Sequence, residues 1–166
     1  GAVRATLLGS GTILREVLAA AQMLESEFGV PADVMSVTSF SELRRDALAA
    51  EREAMLKPGE KLREPWVREC LAGRQGPFVA ATDYMKTVAD QIRQWVPGRY
   101  VALGTDGFGR SDAREALRSH FEVDRRWIVV AALKALADDG RVDRSSVTLA
   151  MKKFGIDPAK PDPLVT

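Results

Sequence analysis

The chain has 166 residues, 46% hydrophobic and 28% charged, with a formal net charge of +1. That is enough for one globular domain with a real core and marginal for two. No long basic run appears, which argues against nucleic-acid binding, and no apolar run reaches the length of a bilayer span.

Ala5 to Leu8 reads as a short buried strand, and Gly9-Ser10-Gly11-Thr12 turns the chain. Ile13, Leu14, Val17, Leu18, Ala21, Leu24 and Phe28 then recur at helical spacing. Gly29 and Pro31 stop that helix. Asp33 to Thr38 is a second strand. Ser39 and Glu42 have capping-box spacing, so a helix begins there with Leu43, Ala47, Leu48 and Ala54 on one side. Lys57 to Glu64 is a charged loop, Glu64 to Leu71 a short helix and Gly73 to Pro77 a turn. Phe78 to Ala81 is a third strand. Thr82-Asp83 is expected to open a helix through Met85, Val88, Ala89, Ile92 and Trp95, ended by Pro97-Gly98.

Tyr100 to Leu103 is the fourth strand, and it leads into Gly104-Thr105-Asp106-Gly107-Phe108-Gly109-Arg110-Ser111-Asp112. Three glycines within six residues permit backbone angles that side chains avoid, and Gly107 is expected at positive φ. Asp112 and Glu115 have the spacing of a second capping box. Asp124 opens a longer segment, Trp127 to Leu136. Its Val129-Val130 pair suits a strand, but its length, its alanines and the closing Gly140 favour helix. Asp143 to Phe154 is a final helix. Pro158, Pro161 and Pro163 mark an extended tail. Strand and helix alternate four times, which predicts an α/β fold: a mostly parallel sheet with helices on both faces. The whole of 1–166 reads as one domain, with a core of about 5–123 and a helical extension and tail of about 124–166. The chain opens on Gly1-Ala2 and not on Met, as expected of part of a longer chain or of a processed product. Arg15 and Glu16 interrupt the first apolar run, so it does not read as a signal peptide.

Few residues suit chemistry. Cys70 is the only cysteine, which rules out an internal disulfide and suggests a reducing compartment. It falls among Trp66, Val67 and Leu71 on a helix, and packing is its expected role. His120, the only histidine, sits at a helix end, where a structural or dipole role is expected. Cysteine and histidine together are too few for a zinc site. Gly9 and Gly11 match neither the dinucleotide fingerprint nor the P-loop. Asp83, Asp106 and Asp112 are candidates for a carboxylate cluster serving acid–base work or magnesium. The plainer reading has Asp83 and Asp112 capping helices and Asp106 stabilising a turn. Arg110, Arg114 and Arg118 are spaced to share a helix face. A phosphate site is open to them, though Glu115 and Glu122 favour a salt-bridge network. Phe40, Tyr84 and Phe108 are aromatics at loop positions, suited to anchoring an interface.

Four segments carry a family resemblance: 36–43 (SVTSFSEL), 81–86 (ATDYMK), Leu103 through Asp112, and 117–124 (LRSHFEVD). Together they resemble the C-terminal domain of the homodimeric, thiamine-diphosphate-dependent pyruvate dehydrogenases, first component of the bacterial pyruvate dehydrogenase complex. The resemblance runs from about Ala5 to the tail. The glycine loop alone is shared with the wider transketolase-like group. Gly109-Arg110-Ser111-Asp112 with Arg114-Glu115 and 120–124 (HFEVD) is narrower.

The resemblance implies a three-layer sandwich around a five-stranded mixed sheet, so one strand, near the N-terminus or in the tail, escapes the pattern. It implies a cytoplasmic parent enzyme that decarboxylates pyruvate and reductively acetylates a lipoyl group, using thiamine diphosphate and magnesium held by domains absent here. No catalytic, cofactor-binding or metal-binding residue carries over to this chain. Implied partners are the remaining domains of its own polypeptide, the second subunit of a homodimer and the dihydrolipoyl acetyltransferase component. The candidate interface residues are Phe108, Arg110, Asp112 and Arg114. The alternative is a freestanding regulatory module that binds an anion or nucleotide at the loop edge.

Overall fold

The computed structural model describes residues 3–166. Four strands, β1 (Ala5–Gly9), β2 (Ala32–Ser36), β3 (Phe78–Ala81) and β4 (Tyr100–Leu103), form one sheet in the order β2-β1-β3-β4. All three pairings are parallel. Register places Val34, Leu7, Val79 and Val101 in one row across the sheet, and Met35, Leu8, Ala80 and Ala102 in the next. Successive side chains of a strand point to opposite faces, so the first row feeds one hydrophobic core and the second feeds another.

Beneath the first face lie α1 (Leu14–Phe28), α5 (Arg114–His120), α6 (Arg125–Asp138) and α7 (Arg144–Lys153). Beneath the second lie α2 (Phe40–Leu56), α3 (Trp66–Leu71) and α4 (Lys86–Asp90). Between them these helices cover the apolar faces of a parallel sheet, as such sheets require.

The expected α/β sandwich is present, with a different strand count. Among the described residues there are four strands, all parallel, and no antiparallel fifth. The tail cannot supply one. Asp157 and Asp162 each accept from the N–H two residues on, at 2.8 and 2.9 Å, which folds 157–160 and 162–165 into tight turns. Pro158, Pro161 and Pro163 remove ladder donors from the same stretch.

Helix α6 is the clearest override of local preference. Ile128, Val129, Leu133 and Leu136 are fully buried where α6 packs against α1, α7 and the sheet. A helix buried nearly all round shows little amphipathic pattern, and its β-branched pair is tolerated because packing outweighs propensity. Asp124 caps it, accepting from the N–H of Arg126 at 2.9 Å and of Trp127 at 3.2 Å.

Other expectations shift. On α2 the buried residues are Phe40, Ala47 and Ala50, while Leu48 and Ala54 face solvent. Phe40, expected in a loop, is therefore a core residue. On α1, Leu18 is exposed. The helix after β3 begins at Lys86 and not at Thr82-Asp83. Thr82 is occupied elsewhere: its Oγ1 accepts from Ser10 at 2.9 Å and from the Tyr84 N–H at 3.2 Å.

Glu16 is a charged residue in the core, only 6% exposed. Its carboxylate accepts from Arg118 Nη1 at 3.0 Å, from Arg125 Nε at 2.9 Å and from the Arg125 N–H at 3.1 Å. One side chain of α1 thereby fixes the end of α5 and the start of α6. The Arg125 hydrogen bond, with the positive charges of Arg125 and Arg118, holds the carboxyl below the ordinary glutamate value of 4.5 against the opposing effect of burial.

The second tight point is Gly107, whose φ is +110°. A Cβ there would stand 2.1 Å from the carbonyl oxygen of Pro163, so a side chain meets both backbone strain and a clash.

Glu16→Gln should lower stability by about 2–3 kcal/mol at neutral pH. A carboxyl depressed in the folded state contributes fully above its unfolded value and loses that contribution as pH falls through its folded value. The gap between wild-type and Glu16→Gln urea midpoints should therefore be constant above about pH 5 and close below it. Gly107→Val should cost about 2–4 kcal/mol in the same titration. Gly109→Val, where a Cβ meets nothing within 4 Å, should change stability by less than about 0.5 kcal/mol.

Candidate functional site

Strand β1 is followed by a connection to one neighbour, β2, while β3 lies on its other side. The carboxyl ends of β1 and β3 are thus the topological switch point, where open α/β sheets place their working crevice. Here the crevice is bridged from within. Ser10 Oγ donates to Thr82 Oγ1 at 2.9 Å in a buried contact, and the Ser10 N–H donates to the Ala81 carbonyl at 3.3 Å. What remains is a surface rim around the loop after β4.

That loop is held from two sides. Gly104 presses against the β3–α4 segment, where a Cβ would come within 2.6 Å of Tyr84 O and Lys86 N. The Thr105 N–H donates to Tyr84 O at 2.9 Å, and Thr105 Oγ1 donates to Asp83 O at 2.8 Å. Asp106 Oδ1 accepts from the Lys86 N–H at 2.8 Å, so it caps the start of α4 from twenty residues away. On the far side lies Pro163 of the tail.

The four candidate interface residues sit on this rim, all exposed. Phe108 is 76% exposed. Arg110, Asp112 and Arg114 line a cavity of about 500 Å³ with Thr12, Asp83 and Thr105. Arg110 precedes α5, so it does not share a helix face with Arg114 and Arg118. Neither Arg110 nor Arg114 makes a hydrogen bond or ion pair among the described residues. Arg118 faces inward to Glu16, and Glu122 pairs with Lys160 at 2.8 Å, so among the described residues neither Glu115 nor Glu122 pairs with Arg110, Arg114 or Arg118.

The aspartates do separate work. Asp83 Oδ2 accepts from Thr12 Oγ1 at 3.4 Å and caps no helix. Asp112 Oδ1 accepts from the Ala113 N–H at 2.6 Å. The second capping box is not made, because α5 starts at Arg114 with Ala113 at its cap position. Among the described residues no three histidine, cysteine or acidic groups gather at metal-binding spacing.

His120 and Cys70 lie on opposite faces of the sheet, in α5 and α3. Burial, with the nearby positive charges of Arg110 and Lys160, lowers the His120 pKa, and its buried Nε2 has no hydrogen-bond partner among the described residues. The ring packs edge-on against Phe121 at 4.8 Å. Cys70 lines a larger cavity of about 690 Å³ between β2, α2 and α3, with Leu8, Met35, Val37 and Val67. Burial raises its pKa, the reverse of an activated thiolate. The charged groups at that cavity pair with each other: Arg63 with Asp46 at 2.7 Å, and Arg45 with Glu42.

Sequence reasoning missed three contributors to the rim. Beside the expected Tyr84, Met85 is also exposed, and Leu164 and Val165 of the tail are 55% and 75% exposed. Apolar residues next to prolines in a chain end were the only signal.

Comparison with known proteins gives one consistent answer. Residues 1–124 match the family described as the transketolase-like TK C-terminal domain. The chain is 61% identical over 159 residues to a Pseudomonas aeruginosa protein named pyruvate dehydrogenase E1 component, covering 95% of this chain and 18% of that protein. Proteins of the same name from Escherichia coli K12 and Mycobacterium tuberculosis are 52% and 47% identical, over 95% and 93% of this chain and 18% and 17% of theirs. The chain therefore spans about a fifth of the length of these relatives. A solved structure titled split gene transketolase, inactive beta4 tetramer, superposes with a TM-score of 0.55 at 22% identity, over 82% of this chain and 40% of that one. At that identity the likeness concerns the fold. With three quarters of its length matched and the fold in agreement, the chain belongs to the family of transketolase-like C-terminal domains.

Proposed function

We propose that this chain is the C-terminal lobe of a pyruvate dehydrogenase first component, structural in its duty, docking by its rim onto the neighbouring domains of the parent homodimer. On this reading 1–166 is one domain, in which 124–166 extends the 5–123 unit and its helix α6 packs into the same core. The parent decarboxylates pyruvate and reductively acetylates a lipoyl group carried by the dihydrolipoyl acetyltransferase component. The observation that carries the reading is the rim itself. Phe108 stands 76% exposed beside Arg110 and Arg114, which have no ion-pair partner among the described residues. A large ring held out on a fixed loop suits an interface anchor, and unpaired arginines suit partners across it.

Thiamine diphosphate and magnesium belong, on this reading, to the parent's other domains. The residues here do not fit the metal: Asp83, Asp106 and Asp112 are engaged with Thr12, Lys86 and Ala113 in turn. Magnesium asks for carboxylates converging at octahedral geometry. No catalytic step is therefore assigned to this chain.

Two measurements test the proposal. The purified chain should show no pyruvate decarboxylation and no calorimetric binding of thiamine diphosphate with magnesium. Stoichiometric binding of either the cofactor or a nucleotide would overturn it, the nucleotide result in favour of the regulatory-module reading. In the full-length parent, Phe108→Asp should raise the dimer dissociation constant at least about tenfold by sedimentation analysis. An unchanged dimer would remove the rim from the interface.

A further inference from the structure

The tail is held more firmly than an extended terminus needs to be. Lys160 Nζ donates to the His120 carbonyl at 2.9 Å and to Glu122 Oε1 at 2.8 Å, and it lies 5.4 Å from the centroid of the Trp127 ring. Its target is the corner between α5 and α6, where Glu122 holds the one positive φ of a residue other than glycine among the described residues, +61°. Such a conformation persists where surrounding contacts fix it. Three residues on, Pro163 is buried and its carbonyl backs directly onto Gly107. The two tight turns at Asp157 and Asp162 make 157–165 a preformed strap between these two points.

We propose that this strap is a clamp that positions the rim loop 104–112, with Lys160 as its latch, and that it completes the docking surface. The latch fixes the strap to the α5–α6 corner, and the strap then closes the space behind Gly107. Released, Pro163 no longer buttresses the loop, and Phe108 and Arg110 lose their fixed position. The strap also adds contact area. Leu164 Cα lies 3.3 Å from where a Cβ of Gly107 would stand, which sets the exposed Leu164 against the residue that precedes Phe108, with the exposed Val165 next along the strap.

The family match ends at residue 124, whereas a 159-residue match to the Pseudomonas protein in a chain of 166 must run beyond it. The strap thus lies outside the transketolase-like module, in the part of the chain that follows it. The clamp stands on these contacts alone. The docking of Leu164 and Val165 rests on the reading above that the rim faces the neighbouring domains of the parent homodimer. Those relatives carry about four fifths of their length outside the matched segment.

Trypsin reports the clamp in the 166-residue chain, because Arg110 lies in the loop and the bond after Lys160 precedes a proline. Lys160→Met should speed cleavage after Arg110 about tenfold, the loss expected for charge-assisted hydrogen bonds. Cleavage after Arg45, on the opposite face of the sheet, should be unchanged. Lys160→Gln should do the same to a smaller extent. Unchanged cleavage after Arg110, or equal acceleration at both sites in both variants, would overturn the clamp. In the full-length parent, Leu164→Asp should weaken the dimer as Phe108→Asp does, by about tenfold. If Phe108→Asp weakens it and Leu164→Asp does not, the composite surface fails while the functional reading survives. If neither does, the functional reading fails, and the trypsin result still decides the clamp.

Discussion

A carboxylate removed from water must be paired, and the rest of this structure hangs on how Glu16 meets that demand. Its oxygens accept from Arg118 at the end of α5 and from both side chain and backbone of Arg125 at the start of α6. Three helices are thereby held in register at one point. The α5–α6 corner that results contains Glu122 in its left-handed conformation and offers the His120 carbonyl to Lys160. From Lys160 the constraint passes along the strap to Pro163, and from Pro163 to Gly107 and the rim loop. A chain of contacts thus runs from a buried charge on the first helix to a surface loop more than ninety residues later.

The sheet sets where that loop must lie. Parallel strands deliver all four following segments to one edge, and the reversal of strand order between β1 and β3 marks its centre. In many folds of this kind the centre holds a ligand. Here Ser10 and Thr82 fill it with a hydrogen bond of their own, and Gly104 closes tightly over the β3–α4 segment. The result is a rim built of rigidly held backbone with large and charged side chains projecting outward. That form suits the docking edge proposed above.

Much of this was legible in the sequence. The four strands fell within a residue or two of their observed positions, because short apolar runs between turn residues leave few alternatives. Phe78–Ala81 and Tyr100–Leu103 match their expected bounds. The cap Ser39 stands where its spacing from Glu42 put it, and Asp124 and Asp143, expected only to open their segments, also cap them, each of the three bonding to an N–H two or three residues away. The failures have a different character. The helix expected at Thr82-Asp83 starts at Lys86 because Thr82 is taken by Ser10, and the cap comes from Asp106. The expected box at Asp112 does not form. The fifth strand implied by resemblance is not found among the described residues.

By itself, then, the sequence determined what near neighbours along the chain decide: the alternation of strand and helix, the two apolar faces of each strand, and the local caps. Only the tertiary structure decided the burial of Glu16, the cap that Asp106 provides, and the contact of Gly107 with Pro163. The reason is the range of the interactions. A period or a cap is written within a few residues, whereas these partners lie 20 to 109 residues apart and meet only after the sheet has brought its edge together.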